Sequence, residues 1–335
     1  MQLLKNLRSE PGLTTSLKGL AILAVLAIHS LTLLPDGSYT GTWHVPIIAF
    51  DQLMRFCVPA FIFLSGYGLG LKYPHQLISP ITWLLKRLRK ILPLYLLWTA
   101  YFVALSLIIP RWEDITHYWS WVQIWFMGRG EYHLYFIPVL IELYVILALI
   151  KWRRAQVPGW LVVITLLIQA ATSIYFSVKP NAFNDQYQYA LITSWAGYFF
   201  LGTWLAGIGR FLRRRLGLLL ALIGWLAAST YALHIINAGG NVVAALRSTK
   251  LSVMAYSLGI LAVFLDEGKR QFSGNSILIW LGKYSYIIYL AHTLPLSVAK
   301  LHLPSITIIY IYISYLVILF VSIRINNFSF GHRRS

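Results

Sequence analysis

Cysteine and acid are what this sequence has least of. The one cysteine, Cys57, excludes an intrachain disulfide and a thiolate metal site. It reads as a packing residue. There is no HExxH, no cluster of Cys, His and Asp, and no Gly-rich phosphate loop, so no metal site is expected. Asp and Glu number 10 in 335 residues against 28 Lys and Arg, and charged residues together make up 11%. A soluble domain carries about 25%. Internal repeats and low-complexity tracts are not evident. Nothing near the N-terminus has the form of a cleavable signal: the first apolar stretch is long enough to span a bilayer, and no small-residue cleavage site follows it.

What is present in excess is apolar sequence. Hydrophobic residues make up 58% of the chain and the mean hydropathy is +0.67. This predicts an all-α, polytopic membrane protein of about ten transmembrane helices joined by short loops. One membrane domain covers 1–335, with spans at about 16–34, 47–70, 91–109, 133–150, 159–177, 190–209, 216–235, 251–265, 276–294 and 305–323. The formal charge of +18 would suit nucleic acid, but the bases lie in clusters between apolar stretches. That is the signature of cytoplasmic loops, so the expected partner is the lipid bilayer and not nucleic acid. With both termini placed in the cytoplasm, the inner segments hold twenty Lys and Arg and the outer segments six, Arg247 and Lys250 among the latter. This bias fits a multi-pass protein of the plasma membrane. The stretch 111–131, with Trp112, Trp119, Trp121 and Trp125, suits an interfacial helix or a re-entrant lid better than a span.

Candidate chemistry starts in the first span. Lys18 and His29 are eleven positions apart, close to three turns, which puts them nearly on one face and about 16 Å apart along the axis. An ionisable residue within the membrane is a functional candidate by default. The competing reading is a neutral His29 bonded to a neighbouring helix. Glu142 is the carboxylate nearest mid-span. A buried carboxylate needs a cation, a donor or a proton, and the candidate partners are His29, Arg55 and His292. The competing reading is a structural Glu–Arg pair. Arg55 has Asp51 one turn before it, at i, i+4 spacing, so a local ion pair and a contact to Glu142 or another acceptor are both open. Pro59 can kink that span, and Ser65 is placed to bond across to the first helix. Ser285, Tyr289 and His292 share a face of the ninth span, which either lines a cavity or joins helices. The KRLRK cluster at 86–90 marks topology or, through Arg87, Arg89 and Lys90, binds phosphate, because guanidinium forks match phosphate oxygens.

Four stretches taken together resemble the acyltransferase 3 family of integral membrane O-acyltransferases. They are LKGLAILAVLAIHS with Lys18 and His29, RFCVPAFIFLSGYGLG from Arg55, HLYFIPVLIELY from His133, and SYIIYLAH ending at His292. The resemblance covers 14–323. It departs at Lys18, where the family usually has arginine, and at Tyr135, where tryptophan is common. It implies transfer of an acyl group, most often acetyl, from acyl-CoA to a carbohydrate hydroxyl. No permanently bound cofactor is implied: acetyl-CoA, or another acyl-CoA, is the donor substrate, and a carbohydrate or lipid-linked glycan is the acceptor. On that reading His29 is the catalytic base or the acyl carrier and Glu142 orients it. Lys18, Arg87, Arg89 and Lys90 hold CoA, and Arg55, Ser65, Tyr135, Tyr289 and His292 contact the acceptor. A thioester has a good leaving group, so a metal is not required. No extracytoplasmic domain is appended in this reading. The alternative is a membrane transporter or flippase of a polysaccharide pathway, suggested by Lys18, Arg55 and Glu142 within spans; transporters often carry inverted repeats, which are not evident here.

Overall fold

The computed structural model describes residues 11–34, 37–108, 120–178, 185–208, 213–267, 276–300 and 305–331. Among the described residues there are helices and no strand. In chain order they are α1 (Pro11–Ser30), a 3-10 turn (Leu31–Leu33), α2 (His44–Met54), α3 (Cys57–Lys72), α4 (Pro80–Ile108), α5 (Trp121–Phe126), α6 (Phe136–Arg153), α7 (Gly159–Val178), α8 (Asp185–Ala190), a 3-10 turn (Ile192–Ser194), α9 (Ala196–Ile208), α10 (Arg214–Asn237), α11 (Val242–Leu246), α12 (Leu251–Glu267), α13 (Ser276–Ala291), α14 (Thr293–Lys300) and α15 (Ser305–Gly331).

A helix occupies each stretch expected to span. Six stretches among the described residues are long and apolar enough to cross a membrane: Gly12–Leu33, His44–Lys72, Pro80–Ile108, Gly159–Val178, Arg214–Asn237 and Val242–Asp266. The chain is a multi-pass membrane protein. Of the expected interfacial segment, 111–119 lies outside the described residues; the rest contains α5, started by a capping box in which Ser120 and Gln123 satisfy each other's backbone N–H.

Two compact units divide the chain: Met1–Leu77 with Arg153–Ser285, and Ile78–Trp152 with Tyr286–Ser335. In the first unit, helices meet through glycine. Lipid tails are as apolar as leucine, so helices in a bilayer associate by close packing, which small residues permit. Between α3 and α9, Gly66 abuts the Phe199 carbonyl and Gly202 the Phe63 carbonyl. Between α10 and α12, Gly224 abuts the backbone of Tyr256 and Gly259 that of Ala221. In the same way α1 is held to the first half of α13: Gly19 abuts the Leu278 carbonyl and Gly282 the Thr15 carbonyl. A side chain at any of these glycines would overlap backbone. α1 also packs on α2 and α3.

The second expected span is two helices, interrupted at Arg55 and Phe56. Pro59 has no N–H to offer the Arg55 carbonyl, and its ring crowds that carbonyl. Side chains from α10 and α12 bond to carbonyls of the preceding turn: Trp225 Nε1 donates to Ala49 O at 2.9 Å and Tyr256 Oη to Leu53 O at 2.6 Å. The other end of α10 stops at Gly239, which has φ +75°. There Gly240 N–H bonds back to Ile235 O and Gly239 N–H to Ile236 O, the paired bonds of a Schellman turn. α11 follows, N-capped by Asn241. Its Ala245 and Leu246 pack with Ile48, Ala232 and Ile236.

In the second unit α4 is joined to α15 by polar bonds within the apolar layer. Trp98 Nε1 donates to Ser322 Oγ at 3.0 Å, and Tyr101 Oη bonds Ser314 Oγ at 2.8 Å. Tyr95 Oη donates to Trp125 O, tying α4 to α5.

Candidate active site

In the first unit, Lys18 and His29 are both half-buried on α1. His29 was expected deep in its span; it lies in the last turn of the helix. Hydroxyls bond back to carbonyls there: Ser30 Oγ donates to Leu26 O at 2.8 Å and Thr32 Oγ1 to His29 O at 2.7 Å. The backbone holding the imidazole is therefore fixed by its own sequence. Arg55 makes the local pair that its spacing allowed, with Nε 2.8 Å from Asp51 Oδ1 and Nη2 2.6 Å from Asp51 Oδ2. Ser65 does not use its proton on the first helix. It donates to Phe61 O of α3, one turn back, at 2.8 Å.

In the second unit the basic cluster opens α4. The Arg87 guanidinium stands over the Trp83 ring, 5.4 Å from its centroid, and buried Trp83 meets Tyr144 edge-on. Stacking holds a guanidinium plane while leaving its N–H edges available. Arg89 is exposed and Lys90 half-buried. Pro93 sits within α4 and removes the bond to the Arg89 carbonyl. Two residues beyond Arg89, Ile91 O accepts from Tyr286 Oη at 2.6 Å.

Glu142 was expected to be buried. It is exposed on α6, on the face with Val145, Ile146 and Leu149, opposite buried Leu140, Leu143, Tyr144 and Leu147. Tyr135 is half-buried in the turn before α6. Tyr289 and His292 do come together, around a residue that was not among the sequence candidates. His133 is 3% exposed; its ring lies 4.9 Å from that of His292 and 5.3 Å from that of Tyr289, edge-on to both. Tyr289 Oη donates to the His133 carbonyl. His292 Nδ1 bonds Tyr289 O at 2.7 Å, and His133 Nε2 bonds Leu290 O at 3.3 Å. The sequence signal for His133 was its place at the head of HLYFIPVLIELY. Among the described residues no group of three or more His, Cys, Asp and Glu could hold a metal.

Comparison with known proteins bears on what these groups serve. A family model described as an acyltransferase domain matches residues 15–326. The chain belongs to the acyltransferase 3 family. It is an acyltransferase that moves groups other than amino-acyl groups. A relative from Bacillus subtilis (strain 168), named "Putative membrane-bound acyltransferase YfiQ", is 23% identical over 284 residues, which is 82% of this chain and 77% of that protein. No solved structure matches this acyltransferase. The family match contains both units' candidate groups, from Lys18 on α1 to His292 after α13.

Proposed function

We propose that this acyltransferase is an O-acyltransferase of the plasma membrane, with about ten spans and both termini in the cytoplasm. It carries an acetyl group from acetyl-CoA to a hydroxyl of a surface or exported carbohydrate, free or lipid-linked. The observation that supports this reading is the family match over 15–326, which takes in the helix from Lys18 to His29. His29 is the general base. Its imidazole takes the proton of the acceptor hydroxyl as that oxygen attacks the thioester carbonyl; the C–O bond forms, the C–S bond breaks, and the proton passes to the leaving thiolate of CoA.

The remaining groups take roles that suit their chemistry. Arg87, Arg89, Lys90 and Lys18 bind the phosphates of CoA, with Arg87 held in plane by Trp83. Arg55, Ser65, Tyr135, Tyr289 and His292 contact the sugar. The hydroxyl protons of Ser65 and Tyr289 are committed to backbone carbonyls, so toward a sugar these two accept.

The test is label transfer from acetyl-CoA to candidate glycans by the purified protein in detergent. His29→Ala is expected to slow transfer by about 10²–10⁴-fold, the usual worth of general base catalysis. A folded His29→Ala protein with ordinary turnover would overturn the reading. Label that stays on the parent protein when acceptor is omitted would replace the base role with an acyl-carrier role. Transfer in detergent, where there are no two compartments, excludes the transporter alternative.

A further inference from the structure

Within the first unit, the interruption between α2 and α3 gathers charge into the interior. Asp51 and Gln52 are fully buried, and Arg247 and Lys250, expected in an outer loop, are each 3% exposed. Lys250 Nζ donates to Gln52 Oε1 at 2.7 Å, Ala245 O at 2.7 Å and Ala228 O at 3.3 Å, and faces the Tyr231 ring at 5.3 Å. Gln52 Nε2 donates in turn to Asp51 Oδ1 at 2.9 Å. Arg247 Nη1 donates to Gln188 Oε1 at 2.6 Å and Nη2 to Phe176 O at 2.8 Å. Among the described residues, every hydrogen-bond partner of Lys250 and Arg247 is neutral. Asp51, the one carboxylate in the network, is taken by Arg55.

The charges therefore do not balance among the described residues. Lys250 can shed its proton, but a guanidinium cannot. Arg55 and Arg247 against Asp51 leave at least one positive charge in a desolvated place without a counter-charge, an arrangement that burial strongly disfavours. Two further observations point to what relieves it. Arg247 Nε is buried and has no acceptor among the described residues. Arg55 presents only its Nε and Nη2 to Asp51, and its side chain keeps 15% exposure while that of Asp51 keeps 1%, so the network is sealed on its acidic side and open on its basic side. The side chain of Asp185, one turn before Gln188 on α8, lies outside the described residues.

We propose that the Arg55–Arg247–Lys250 cluster is a binding site for an anionic oxygen group, a phosphate or a carboxylate, that enters at Arg55. The site stands whether or not His29 performs the transfer, and its test is a binding measurement, not turnover. Full-length protein in neutral detergent is titrated with inorganic phosphate or with glucuronate, against sodium chloride of equal ionic strength and glucose as controls. A third arm compares phosphatidylcholine nanodiscs with nanodiscs containing phosphatidylglycerol.

A saturable rise of about 2–5 °C in the unfolding midpoint with at least one anion is expected, through preferential binding to the folded state. The arm that responds names the source: free phosphate, acidic sugar or lipid headgroup. Arg55→Gln should weaken the responding anion at least about tenfold, and Asp51→Asn, which removes the competing carboxylate, should tighten it. Arg55→Lys keeps the charge and loses Nη1, the donor that Asp51 leaves unused, so weaker binding is expected there even where Arg55→Gln does not fold. No response beyond the chloride control in any arm, an equal response to glucose, or an unchanged affinity in Arg55→Lys overturns the proposal. So does a response that appears only in Asp185→Asn, because the chain would then supply its own counter-charge.

Discussion

Gly282→Ala tests the contact that seats α1. The added Cβ would overlap the Thr15 carbonyl oxygen and stand 2.8 Å from the Thr15 carbonyl carbon and 3.0 Å from Thr15 Cγ2. Carbon atoms prefer about 3.5–4.0 Å and the overlapped oxygen is nearer still, so α1 and α13 must part by more than about 1 Å. The obstacle is backbone and cannot rotate away. Overpacking of this kind costs about 1–3 kcal/mol, and the better helix propensity of alanine offsets up to about 1 kcal/mol. The net expectation is a loss of roughly 1–2 kcal/mol. Since α1 carries His29, the proposed base, turnover should also fall, by about 10–100-fold if its misplacement approaches 1 Å. The control is Gly68→Ala. Gly68 lies within α3, is exposed, and has nothing within 4 Å of its Cβ position. There the same substitution should stabilise by about 0.5–1 kcal/mol. Unfolding in mixed SDS and maltoside micelles, followed by tryptophan fluorescence, reads both variants, with label transfer as the second readout. A Gly282→Ala protein as stable as its parent and fully active would refute the packing argument, as would a larger loss in Gly68→Ala.

Two further substitutions probe the second unit. Tyr289→Phe removes the hydroxyl bond to the His133 carbonyl and should cost about 0.5–1.5 kcal/mol in the same unfolding assay, the net worth of one hydrogen bond; a neutral effect would mean that the aromatic cluster rests on ring packing alone. Arg87→Ala should raise KM for acetyl-CoA about tenfold, the loss of one charge-assisted bond, with kcat nearly unchanged. A fall in kcat at constant KM would instead assign Arg87 to the reacting centre.

Much of the helical frame was legible because long apolar stretches have few structural options in a bilayer. The interruption of the second span was legible too, at one remove. Pro59 announces a defect four residues upstream, where its missing N–H leaves Arg55 without a helical partner, and the structure breaks there. The pair of Arg55 with Asp51 was one of the two readings that the i, i+4 spacing left open, and the structure takes it. Glu142 shows what periodicity does not reveal. In a soluble helix the polar face marks the outside, but lipid is as apolar as a protein core, and the residues around Glu142 are apolar on every side. Depth could be counted from the sequence; the direction of the side chain could not.

Arg247 and Lys250 show a second limit, and it bears on how loop charge should be read. Both were counted as outer cations on the strength of topology, a statistic that treats every lysine and arginine as solvated. Some of their partners lie far along the chain: Lys250 reaches Gln52, 198 positions away, and Arg247 reaches Phe176, 71 positions away. Nothing in local spacing encodes such bonds, because they depend on how α2, α7, α10 and α12 pack within the first unit. Once buried, the two residues change meaning. A solvated cation near a span orients the chain, whereas a desolvated one costs free energy and asks for a partner. Arg87 differs from them: it stays half-buried, with its guanidinium over a tryptophan face. Burial and partner identity, more than the number of positive residues, decide which basic groups can recognise an anion and which only set topology.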